Sequence, residues 1–168
     1  MALSYAHRDV NALLDALEGQ LVEATALART AERDAARLSY GSYRAFRDKV
    51  GEYLAFAIII ERRLPHIADA PTRDLIERLE MTQVRFYTML IRACLRFFYI
   101  ISSNLRLPMG TREIFMEELR SLHHAHETLH RPEYARRLET DVIHDLEVAE
   151  QILTEIVDRA PRLLEFQL

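Results

Sequence analysis

The sequence holds a single cysteine, Cys94, set in an apolar stretch with no second thiol to bridge. No disulfide framework is available, and nothing points to an oxidising compartment. Glycine and proline are also scarce, four and five respectively, which leaves too little turn chemistry for a series of hairpins and ample room for long helices. Neither sign of charge dominates: 22 Lys and Arg stand against 26 Asp and Glu, a net charge of −4. The chain therefore has no overall positive field to hold a phosphate backbone, and no nucleic-acid partner is expected. The opening MALSYAHRDVNALLDALEG lacks the basic, apolar and small-residue regions of a signal peptide, so a cytoplasmic location is expected. There is no G-x-S-x-G elbow, P-loop or G-x-G-x-x-G, and so no motif support for nucleophilic or nucleotide chemistry.

What is present is the balance of a globular protein, with 49% hydrophobic and 29% charged residues over 168 positions. That length suffices for one domain with its own core, and no linker, repeat or low-complexity run divides it. Read at about 100° per residue, the apolar positions fall into five helical stripes. The predicted architecture is an all-α, up-and-down bundle of about five helices in a single domain, with helices over 4–38, 42–64, 73–104, 111–130 and 132–158.

The first stripe runs Val10, Leu14, Leu17, Leu21, Ala24, Ala28, Ala31, Ala35 and Leu38, in alternating fours and threes like a coiled-coil seam. Its alanine half predicts a close approach by a neighbouring helix. Gly41 and Ser42 mark a break and an N-cap, and the second stripe runs from Tyr43 and Phe46 to Ile60 and Leu64 before Pro65. In the third helix, the only clearly polar residues between Val84 and Ile101 are Arg85, Thr88, Arg92 and Arg96. Three arginines rule out a membrane span, each costing roughly 2.5–3.5 kcal/mol near a bilayer centre. A helix so apolar must be covered on most sides, and Phe97, Phe98, Tyr99, Ile100 and Ile101 would suit a homodimer seam. Pro108 and Gly110 precede the fourth helix, and Pro161 is expected to end the fifth.

Two constellations carry chemistry. His123, His126 and His130 share one side of the fourth helix, with His126 near the middle of the stripe Phe115, Leu119, Leu122 and Leu129. His124 points away. Neutral imidazoles at this spacing can converge on a divalent metal, with Asp141 of the next helix as a fourth ligand. Glu127 with His130, and Asp141 with His144, spell carboxylate-x-x-His, but their placement on adjacent C-terminal helices departs from the di-iron bundle pattern. The simpler reading makes His126 a core histidine with a hydrogen-bonding partner. The second constellation pairs the acids Glu61 and Asp145 with Arg85, Arg92 and Arg96. Buried acids need a cation or a donor, so this set forms an ion-pair network, or a clamp for an anionic ligand if a cavity separates it.

The stretch LARTAERDAARLSYGSYRAFRDKVGEYLAFAIIIERRL, residues 27–64, resembles the opening helices of bacterial heme-oxygenase-like bundles. That resemblance implies a haem-ligating histidine and a glycine-rich distal helix. Residues 24–38 hold no histidine and residues 82–104 no glycine, so oxygenase activity is not expected. The function expected is that of a non-enzymatic regulatory or adaptor bundle binding a protein partner or itself. The alternatives are a metal- or haem-binding bundle using the histidine cluster, and a bundle holding a small anionic or apolar ligand between helices.

Overall fold

A computed structural model describes residues 5–68, 71–103 and 110–164, with side chains as far as residue 156. The chain is an all-α helical bundle. The described helices are α1 (His7–Ala36), α2 (Tyr43–Arg63), α3 (Arg73–Ser102), α4 (Thr111–Leu129), α5 (Pro132–Ala135) and α6 (Thr140–Leu164), with one 3-10 turn at Leu64–His66. No helix among the described residues is long and apolar enough to cross a membrane. The expected helix start at Ser4, the end at residue 104, the Pro108 break and the last residues of the tail lie outside the described residues.

The chain divides into two compact units, Met1–Phe86 and Tyr87–Leu168, and α3 contributes to both. In the first unit, α1 packs along α2. The α1 stripe is buried at Val10, Leu14, Leu17, Ala24, Ala28, Ala31 and Ala35, and α2 answers with Phe46, Val50, Tyr53, Ala57 and Ile60. Tyr53 of α2 and Phe86 of α3 are fully buried and stack with ring centroids 3.7 Å apart and planes 9° from parallel.

Leu38 is not on the buried stripe. The helix stops at Ala36, Leu38 takes the left-handed φ of 59°, and its side chain is exposed. The N–H of Leu38 donates to the Ala35 carbonyl and that of Ser39 to the Asp34 carbonyl, a Schellman closure built on leucine instead of glycine. The left-handed conformation costs a side chain roughly 1–2 kcal/mol. Ser42 precedes α2 as expected, but its hydroxyl does not cap the helix; it donates to the Asp34 carboxylate and ties the turn back to α1.

The second unit holds the C-terminal part of α3 with α4, α5 and α6. The broad apolar girth of α3 is met within the chain: Leu90, Ile91, Ala93, Cys94, Phe97 and Phe98 are all buried. Phe98 meets Phe115 of α4 edge-on, with centroids 5.2 Å apart. Of the aromatic run, only Tyr99 is left largely exposed.

The expected helix over 132–158 is two helices. Tyr134, buried, anchors the single turn of α5; the chain then turns and restarts where the Glu139 carbonyl accepts the N–H groups of Val142 and Ile143. The break is invisible in the apolar pattern because Leu138, Val142, Leu146 and Ala149 stay in phase across it. Pro161 does not end α6, which continues to Leu164.

Candidate functional site

In the first unit, α1 and α3 are joined by one guanidinium. Arg78 donates from Nε and Nη2 to the two Glu18 oxygens at 2.8 Å, from Nη2 to Asp15 at 2.5 Å, and from Nη1 to Asn11 at 2.8 Å. All three nitrogens are used, the geometry that distinguishes arginine from lysine. The hydrogen bond from Arg78 holds the Glu18 carboxyl below its ordinary range, and the Glu18 bond in turn raises the guanidinium. One turn earlier, His7 reaches Asp74 at 3.1 Å and lowers that carboxyl in the same way. Sequence reasoning missed this network. Its signal was present: Asn11, Asp15 and Glu18 each follow directly after a buried stripe residue, Val10, Leu14 and Leu17, and so line one flank of α1.

The arginine row and its acids are brought together only in part. Arg92 donates from Nε to Asp145 at 2.7 Å and from Nη2 to Asp141 at 2.6 Å, joining α3 to α6. The Asp141 carboxyl is held low chiefly by that bond. Arg85 and Arg96 are exposed. Glu61 finds no arginine of the row: it accepts a 3.0 Å hydrogen bond from the Gln83 side-chain amide in the first unit. The expected acid pair is thus split between the units, and the acid that shares Arg92 with Asp145 is Asp141.

Asp141 is accordingly engaged by Arg92. His123 is exposed and lies 3.8 Å from Glu127, and His144 lies 3.6 Å from Glu147. His124, expected to point away, is exposed but within 3.3 Å of the Tyr87 hydroxyl, its ring edge-on to the phenol. His126 and His130 do come together: their ring centroids are 4.3 Å apart, and His130 Nδ1 donates to the His126 carbonyl at 2.8 Å. The His126 Nε2 is buried and has no hydrogen-bond partner among the described residues. Burial, then the neighbouring His130, pushes the His126 imidazole below its ordinary value, so the ring is neutral near pH 7. Among the described residues, no three His, Cys, Asp or Glu side chains are grouped so as to hold a metal ion.

His126 lies half-buried at the edge of the α4 core face, not near its middle. That face is rotated toward Glu118, Ser121, Leu122, Ala125, Thr128 and Leu129, while Phe115 and Leu119 are only half-buried. Glu118 is fully covered, and buried Thr128 turns its hydroxyl back to the His124 carbonyl. Polar residues on a buried face interrupt its apolar stripe, so Glu118 carries no signal of burial in the sequence.

Comparison with protein-family models, with curated proteins and with solved structures finds no match.

Proposed function

We propose that this chain is a non-enzymatic interaction module of the regulatory or adaptor kind, binding a protein partner or a second copy of itself. The observation that carries the reading is the outer face of α2. Gly51, Ala55, Ile58 and Ile59 are all exposed, Ile58 at 47% and Ile59 at 41%. Residues at i, i+4, i+7 and i+8 share one side of a helix, so this is an apolar stripe turned away from the core. Its small members, Gly51 and Ala55, let another helix approach closely. Single exposed apolar residues are ordinary, whereas adjacent isoleucines on a helix whose other face already fills a core call for a cover.

The charged groups favour the same reading. Arg78 and Arg92, each set between helices, are taken up by acids of α1 and α6. An anionic-ligand clamp would lose its central residue to Asp141 and Asp145.

Light scattering over a concentration series, together with a photo-crosslinking residue at position 59 in producing cells, tests the proposal. The expected result is a defined adduct, to itself or to one partner, that is abolished by Ile58→Glu in a chain of unchanged helicity. A monomer at every concentration that forms no Ile58-dependent adduct would overturn it.

A further inference from the structure

We infer that His126 and His130 form a two-imidazole site for a divalent transition metal of the class imidazole favours, such as nickel, copper or zinc, at the C-terminal end of α4. The spacing is i and i+4, which stacks the two side chains on one side of the helix, and the ring centroids are already 4.3 Å apart. The bond from His130 Nδ1 to the His126 carbonyl fixes the proton on that nitrogen and leaves Nε2 with the lone pair. The partner ring presents a buried Nε2 that has given up water without a protein donor in exchange. A metal ion supplies what that lone pair lacks.

The geometry is within reach. Metal–nitrogen bonds of about 2.0–2.1 Å in a tetrahedral shell place two ligand nitrogens about 3.3 Å apart. His126 is held by its half-buried position, while His130 is exposed on the side from which an ion arrives from solvent. The local field also favours a cation. Glu150 of α6 acts on His126, and with Glu147 and Glu155 it lines an open acidic depression on that helix. The pair differs from the four-ligand set read from sequence: His123 faces Glu127, Asp141 is held by Arg92, and water completes the coordination.

This site is independent of the α2 interaction face. The test is calorimetric titration of the full, untagged chain with nickel chloride near pH 7.5, paired with proton spectra of the seven histidines. One ion per chain is expected, with paramagnetic broadening that appears first at His126 and His130. The second imidazole engages an ion that is already held, an intramolecular advantage of roughly a hundredfold or more, so His126→Gln and His130→Gln should each weaken binding by about that factor. His144→Gln should leave it unchanged. His130 is exposed, so its variant keeps the fold and decides the matter even if His126→Gln does not. Undiminished affinity in His130→Gln, broadening spread evenly over all seven histidines, or no binding at all would overturn the site.

Discussion

The two units place their polar groups differently. In the first, the large core side chains Leu14, Leu17, Phe46, Tyr53, Ile60 and Phe86 are apolar apart from the Tyr53 hydroxyl, buried Thr82 and Gln83 bond to the Arg78 carbonyl and to Glu61, and the strongest polar network, Arg78 with Asn11, Asp15 and Glu18, runs along the rim. In the second, α4 carries Glu118, Ser121 and Thr128 on the same buried face as Leu122 and Leu129, with His126 half-buried beside them. Rim networks fix how helices register while solvent offsets part of their cost. Interior polar groups must find every partner within the fold and are expensive to keep. The first unit therefore reads as the frame with the more apolar core, and the second as the unit that keeps more polar side chains on a buried helix face.

The largest expected effect tests the frame. Phe86→Ala removes one half of the Tyr53 stack from a fully buried site and should cost roughly 3–5 kcal/mol in urea unfolding. A loss below about 1 kcal/mol would mean that the site collapses around the missing ring, and the frame would not be the rigid partner in the comparison.

A smaller effect should rank the two arginines. Arg78 is 29% exposed and makes four hydrogen bonds to three residues, whereas Arg92 is 43% exposed and makes two. Arg78→Met should cost roughly 1–3 kcal/mol, discounted for the solvent that reaches the pair, and Arg92→Met no more than about 1 kcal/mol. Equal losses in thermal unfolding would show that the α3–α6 bridge matters as much to its unit as the α1–α3 bridge does to the other.

Much of the frame was legible in the sequence, and less of the second unit. The α1 stripe reads directly because apolar residues recur in fours and threes from Val10 to Ala35, and the Arg92–Asp145 pair follows from opposite charges on facing helices. Three features were hidden for physical reasons. The break after α5 leaves the helical phase unchanged, so only the backbone hydrogen bonds at Glu139 reveal it. Glu118 lies on a buried face whose small and polar members do not register as a stripe. Leu38 closes α1 in a conformation that sequence rules reserve for glycine. Of the histidines read as a cluster, His126 and His130 come together and His123 lies beside Glu127. The i, i+4 pair His126 and His130 meets within one helix, while the rotation of α4 toward Glu118 decides burial and leaves His126 at the edge of the core face with His123 and His130 exposed.

The smallest effect separates the units by pH. In the first unit, Glu18 is held below its usual 4.5 by Arg78, so the stability it contributes is complete above that value and is lost only as acid titrates the folded carboxyl. In the second, His126 is pushed below 6.5 by burial and by His130, with His123 acting in the same direction and Glu127 and Glu150 opposing. The folded state then binds that proton less readily than the unfolded chain. The contribution of His126 is flat above about pH 6.5 and falls as the pH drops toward the lower folded value, after which this residue contributes no further slope. Asp141 and Asp74 also act only at lower pH, because their carboxyls are held below 3.8. Between about pH 6.5 and 5, the decline in urea midpoint should therefore be steeper in the wild type than in His126→Gln, and superimposable curves would show that burying this imidazole carries no energetic cost.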